Sequence, residues 1–288
     1  MELAFVREGE GGFPLLLLHG WPETMRIWWR NVGPLAEAGF EVIAPDLRGF
    51  GESGLAPDGH YDVAAQARDM EALLRELGHE RCVASGGDFG GVIAQDLALR
   101  FEGLVERLVL FNTIPPVLPD GPREVPREVR MAADYFLRQG TDADGLAAEL
   151  DTPDKRRRYV AQMYGPRFWA APGGFEPEEV DFMTEPFGDT ERFRASLAIY
   201  EYAVRAREWS EPPLLRQPNP TPTLILYGPE DHVIPRDFPQ RMEAAFPRRV
   251  GPFLVQEAGH FLQWERSEVL NSAIEFFCLD LLAQSAER

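Results

Sequence analysis

Six short apolar runs most constrain what this chain can become: FPLLLLHG (13–20), EVIAPD (41–46), CVASGG (82–87), RLVLFN (107–112), TLILYG (223–228) and PFLVQEAG (252–259). Strands this short with almost unbroken hydrophobicity are buried on both faces, which predicts a mostly parallel sheet covered by helices. The intervening stretches agree. Val63, Ala67, Met70, Leu74 and Leu77 recur at three- and four-residue steps and lay one apolar stripe along a helix that ends before Gly78. A last helix, from about Ser267 to Leu282, carries Val269, Ile274, Phe277, Cys278 and Leu281 in the same manner. The expected class is α/β.

Between Asn112 and Thr221 the strand rhythm stops, and the chain reads as proline-punctuated helices rich in charge and aromatics. Two proline-dense hinges bound it, IPPVLPDGP (114–122) and EPPLLRQPNPTP (211–222), as expected of an inserted module. The reading is a sheet-bearing core in two parts, 1–113 and 213–288, with a helical insertion at 114–212.

At 288 residues, 44% hydrophobic and 26% charged, the chain is long enough for a sizeable core and too apolar for disorder. Forty-seven acidic against 29 basic residues leave a formal charge of -18, which repels phosphate backbones and anionic headgroups. Nucleic acid and membrane are therefore not expected as partners; a homo-oligomer is compatible with the sequence. Cys82 and Cys278 match no metal or redox spacing and are read as reduced and buried. The start, MELAFVREGEGG, is too charged for a secretory leader, and no apolar run approaches the roughly 20 residues that span a bilayer. The expected location is the cytoplasm. Lys155, in the basic run KRRR, is the one lysine, so Schiff-base chemistry and a phosphate-loop lysine share a single poor candidate.

The most informative stretch is ASGGDFGGVIAQ (84–95), where an apolar strand meets a glycine-rich turn and then helix-forming sequence. Gly86, Asp88 and Gly90 have the spacing of a nucleophile elbow, in which the central residue sits on a strained turn and small neighbours let the backbones cross. Asp beside Gly is also an everyday turn. The glycines do not fit a dinucleotide-binding GxGxxG loop. HGWPE (19–23) follows the LLLL strand and could aim the Trp21 N–H, with that of Phe89, as a two-donor oxyanion hole. His19 itself is read as a hydrogen-bonded packing residue. Asp231, in YGPEDHVIP (227–235), and His260, in EAGHFLQWE (257–265), each fall just past a predicted strand. The C-terminal ends of parallel strands line one crevice, so Asp88, Asp231 and His260 are expected to meet there in the chain order nucleophile, acid, histidine.

On HGWPE (19–23), APDLRGFGES (44–53), GGDFGG (86–91), GPEDHVIP (228–235) and AGHFLQWE (258–265), the chain resembles the α/β-hydrolase fold family, and within it the epoxide hydrolases, along essentially its whole length. The resemblance implies an α/β-hydrolase fold, a mostly parallel sheet flanked by helices, with a helical cap whose tyrosines hold and protonate the epoxide oxygen. Carried over by motif, these are Tyr200 in LAIYEYAVR and Tyr135 in AADYFLRQ, with Tyr164 and Tyr202 in reserve. One departure is Phe89, where the family usually carries tryptophan after the nucleophile.

An aspartate nucleophile suits attack on saturated carbon, giving an ester that the same histidine hydrolyses through activated water. The expected ligand is a small apolar organic epoxide, and no cofactor or metal is required. Trp28, Phe136 and Trp169, with Trp29, Phe168, Phe175 and Phe182, are the aromatics available for an apolar pocket. Two rivals remain: a haloalkane or haloacid dehalogenase of the same fold, disfavoured because Phe89 has no side-chain N–H or charge for a departing halide, and a ligand sensor that has lost turnover.

Overall fold

The computed structural model describes residues 1–118, 134–166 and 169–286. Its sheet has seven strands: β1 (Phe5–Glu8), β2 (Phe13–Leu18), β3 (Phe40–Pro45), β4 (Cys82–Gly87), β5 (Val105–Thr113), β6 (Thr223–Tyr227) and β7 (Arg249–Leu254). They lie in the order β1-β3-β2-β4-β5-β6-β7. Every pairing is parallel except that of β1 with β3. Leu15 to Leu18 and all of β3 and β4 are buried, which is the two-sided covering that unbroken apolar runs imply. Each such leucine contributes about 2 kcal/mol by leaving water.

Helices of the core are α1 (Trp29–Glu37), α2 (Val63–Glu76) and α3 (Asp88–Arg100). The α2 stripe runs as read, its start capped by the Asp62 side chain on the Ala65 N–H at 3.0 Å and its end released by Gly78 at φ 86°. Among the described residues, six further α-helices stand between β5 and β6: α4 (Asp134–Thr141), α5 (Ala143–Glu149), α6 (Pro153–Ala161), α7 (Pro177–Thr184), α8 (Thr190–Ser196) and α9 (Ala198–Ala203). The chain then completes the core with α10 (Phe238–Ala245), α11 (Leu262–Glu265), α12 (Ser267–Phe277) and α13 (Leu279–Ala286).

Three expectations need correction. The β1 strand, FVRE, escaped the apolar-run criterion because it is an antiparallel edge with its last two residues exposed. The final strand spans 249–254 rather than 252–259: β7 lies at the other edge, half in solvent, so hydrophobicity does not mark its limits. The last helix is two, broken at Cys278, which is buried as expected, like Cys82. No helix of the described residues is long and apolar enough to cross a membrane.

Candidate active site

The passage from β4 into α3 puts Asp88 on a turn at φ 43°, a left-handed conformation that a non-glycine residue holds only under surrounding constraint. The constraint is local crowding. A Cβ on Gly90 would stand 2.1 Å from the Leu18 carbonyl oxygen, and one on Gly20 would stand 2.5 Å from the Asp88 Cβ. Only glycine lets the β2 end, the following loop and the elbow approach so closely. The Thr113 hydroxyl at the end of β5 donates to the Asp88 carbonyl at 2.5 Å.

The Asp88 carboxylate is held from two sides. Its Oδ1 accepts the Trp21 N–H at 3.0 Å, and its Oδ2 lies 3.4 Å from His260 Nε2. The Phe89 N–H lies in the open first turn of α3 and makes no hydrogen bond with that carboxylate in the described structure. The opposite ring nitrogen, His260 Nδ1, faces Asp231 Oδ2 at 2.9 Å. Asp231 is fixed in turn through Oδ1, which accepts the Val233 and Ile234 N–H groups at 2.6 and 3.0 Å. Asp88, Asp231 and His260 are all buried. Burial on its own would depress the His260 pKa, but the Asp231 charge and hydrogen bond, with Asp88 behind them, raise it well above the ordinary value.

Asn112, at the end of β5 with φ 37°, was missed by the sequence reading. Its Nδ2 donates to Asp231 Oδ2 at 2.7 Å and to the Gly259 carbonyl at 3.0 Å, and its Oδ1 accepts the Gly228 N–H at 2.8 Å. One side chain thus ties the acid loop to the histidine loop. The available signal was position: a polar residue at the C-terminal end of a central parallel strand faces the crevice. Glu23 and Gln263 were also missed. Glu23 Oε2 accepts the Gly20 N–H at 2.6 Å and Oε1 accepts from Gln263 at 2.8 Å, and burial pushes its carboxyl up to about 7.

His19 has the packing role read for it. Its Nε2 accepts the Leu47 N–H at 2.9 Å, which leaves Nδ1–H to donate to the Gly20 carbonyl at 2.9 Å; burial lowers its pKa, in keeping with a neutral ring.

An aromatic wall stands over Asp88. The Tyr200 ring, buried in α9, lies 5.3 Å from Trp21, 5.5 Å from Phe89 and 5.3 Å from Phe136, all edge-to-face. Tyr135, in α4, is 6.3 Å from Tyr200 and 5.4 Å from Trp169, whose ring is 4.9 Å from that of His260. Burial, with the Asp88 charge contributing, raises the pKa of both tyrosines, so both are protonated at neutral pH. Tyr164 instead donates to the Pro22 carbonyl and stacks on Phe261, while the Tyr202 hydroxyl accepts the Tyr61 N–H. Trp28 is fully buried against Phe111, away from this wall; Trp29 is exposed and meets Phe182; Phe175 stacks on Trp264. Phe168 lies outside the described residues.

The profile of the alpha/beta hydrolase fold family matches residues 14–267. The soluble epoxide hydrolase of Corynebacterium sp. (strain C12) is 30% identical over 281 residues, 96% of this chain and 93% of its own. A fluoroacetate dehalogenase of Burkholderia sp. is 34% identical over 200 residues, 67% of this chain and 63% of its own. Among solved structures, epoxide hydrolase CorEH without ligand superposes with a TM-score of 0.83 at 25% identity, covering 97% of this chain and 95% of that one.

Proposed function

The chain belongs to the alpha/beta hydrolase fold family, and on that premise we propose that it opens a small apolar epoxide to a vicinal diol through an ester on Asp88. The observation that carries the reading is the division of labour on one carboxylate: Oδ1 is occupied by the Trp21 N–H, and Oδ2 is turned toward His260. Oδ2 is thus the oxygen free to attack an oxirane carbon. As the C–O bond to Oδ2 forms, the ring C–O bond breaks and the alkoxide takes a proton from a tyrosine hydroxyl, with Tyr200 and Tyr135 as the donors. A tyrosine hydroxyl, ordinary pKa about 10, is a better acid than water toward an alkoxide, and burial, which raises that pKa here, keeps the proton on the tyrosine until the alkoxide forms.

Esterification removes the Asp88 charge, one of the two that hold His260 protonated. The histidine then gives up its proton, which restores the tyrosine that protonated the alkoxide, and becomes a neutral base kept in register by Asp231 and Asn112. It takes a proton from water, whose oxygen attacks the Asp88 carboxyl carbon. Negative charge grows on Oδ1, where the Trp21 N–H already points and the Phe89 N–H is the second donor; each is typically worth about 3 to 4 kcal/mol. Collapse expels the diol oxygen, which takes the proton back from His260, and the carboxylic acid left at Asp88 passes its remaining proton to the neutral histidine, so that carboxylate and imidazolium are both restored. The helical insertion at 114–212 acts as the cap, and Phe136 and Trp169 line its apolar wall.

The Burkholderia relative keeps the dehalogenase reading in play. Against it, the Phe89 side chain offers no N–H, and the Trp21 indole N–H donates to Ser196 Oγ at 3.2 Å rather than standing free for a halide. Halide release from bromoalkanes measured beside diol formation from styrene-type epoxides separates the two. The mechanism is tested with His260→Gln: an epoxide should add its mass to the peptide holding Asp88 and remain there. A variant that never carries the adduct, although the parent turns over, rules the ester out.

A further inference from the structure

His260 lies near the end of the loop between β7 and α11, and this loop touches the 169–171 segment of the insertion directly. Its backbone N–H donates to the Trp169 carbonyl at 2.9 Å. Gly259 is packed so tightly against the same segment that a Cβ there would lie 2.5 Å from the Ala171 nitrogen and 2.7 Å from the Trp169 oxygen. Glu265, the last residue of α11, closes this contact. Its Oε1 accepts the Ala171 N–H at 2.7 Å and its Oε2 accepts the Gly259 N–H at 2.5 Å.

We propose that Glu265 is a positioning residue whose carboxylate clamps the 169–171 segment to the histidine loop and thereby fixes the gap between Trp169 and His260, hence between bound substrate and base. The inference rests on the epoxide-opening reading of the site. Its chemical basis is that two N–H donors arrive on two different oxygens, and only an ionised carboxylate offers an acceptor at both. A protonated acid or an amide would set a donor against one of them. The clamp bears on both walls of the site: Trp169 packs on Tyr135 at 5.4 Å and on His260 at 4.9 Å. Burial pushes the Glu265 carboxyl up to about 7, against the pull of the Ala171 and Gly259 amides and the His260 charge, with Asp231 adding to the rise. The clamping form is therefore the one present above that value.

The test compares parent, Glu265→Gln and Glu265→Asp with styrene oxide about one pH unit above 7, reading kcat, KM, thermal midpoint and the mass of the Asp88 peptide. In a folded Glu265→Gln, kcat should drop about 10- to 100-fold, the scale set by ångström misplacement of reacting groups, with a smaller change in KM. Glu265→Asp, which keeps two acceptors one methylene further back, should recover part of that loss. A Glu265→Gln that folds and keeps kcat within about threefold of the parent, whatever its KM, overturns the proposal. Should Glu265→Gln fail to fold, the aspartate variant decides alone: reduced kcat at near-parental KM supports the clamp, and parental kcat refutes it. A His260→Gln control that forms no Asp88 adduct sinks the mechanism itself, whereas an adduct in that control with full-speed Glu265→Gln sinks only the clamp.

Discussion

Asn112 Nδ2 donates to Asp231 Oδ2 at 2.7 Å, on the same oxygen that faces His260 Nδ1 at 2.9 Å. A carboxylate oxygen shared between a strand-end amide and an imidazole has little freedom to turn. The histidine therefore takes its orientation from β5 as much as from its own loop.

Asn112→Ala should consequently cost both stability and turnover. It leaves the Gly228 N–H and the Gly259 carbonyl short of a partner and puts alanine at φ 37°, a destabilisation of about 2 to 4 kcal/mol from unmet buried groups and backbone strain. Urea unfolding measures the first effect. Ester hydrolysis, isolated in single-turnover experiments, should slow more than ester formation; equal slowing would mean that Asn112 does not act through His260.

The fold and the site were legible to different depths. Runs such as LLLL at 15–18 and VIAP at 42–45 announce strands because burial on both faces removes polar residues from them. FVRE at 5–8 announces nothing, since an edge strand keeps its charges. Asp88, Asp231 and His260 could be brought together on paper because parallel strands end on one side. Asn112 could not, because its meaning lies in Gly228, Asp231 and Gly259, which the chain supplies more than 100 residues later. Glu265 was hidden for the same reason: its partners are backbone amides, which carry no sequence signature. Trp28 was grouped with the pocket aromatics for lying near the first loop in sequence, yet the turn at 25–28 directs its ring to Phe111.

The Asp88 charge should be readable in the His260 pKa. Asp88→Asn removes one of the two carboxylates that hold the imidazolium, so its titration, followed by NMR of the ring, should move down. The sign for stability follows. A histidine raised above its unfolded value of about 6.5 stabilises the fold fully below that pH, and the contribution is lost as pH rises through the folded value. The parent's stability relative to Asp88→Asn should therefore fall across that interval; an unmoved titration would show that Asp88 does not bear on His260.

Tyr200→Phe should leave the fold intact, because its ring contacts with Trp21, Phe89 and Phe136 survive. Loss of the proton donor should slow alkylation of Asp88 about 10²- to 10⁴-fold, less if Tyr135 substitutes, so the double change with Tyr135→Phe is the stricter measurement. Rapid-quench rates at parental level in the double variant would move the acid role elsewhere.

Gly20→Ala tests the crowding around the elbow. The added methyl would lie 2.5 Å from Asp88 Cβ and Oδ1, so the nucleophile must shift. Overpacking should cost about 1 to 3 kcal/mol, while displacement of the attacking oxygen should lower kcat by about 10²-fold. Circular dichroism melts and steady-state rates separate the two, and parental kcat would show that the elbow tolerates the intrusion.

In the ester mechanism proposed for this site, an oxygen of Asp88 becomes an oxygen of the product. One turnover in heavy-oxygen water with enzyme in excess, followed by mass analysis of diol and peptide, reads this directly. Label should enter the Asp88 side chain and leave the diol unlabelled. Label appearing in the diol on that first turnover, with Asp88 unlabelled, would contradict the ester mechanism.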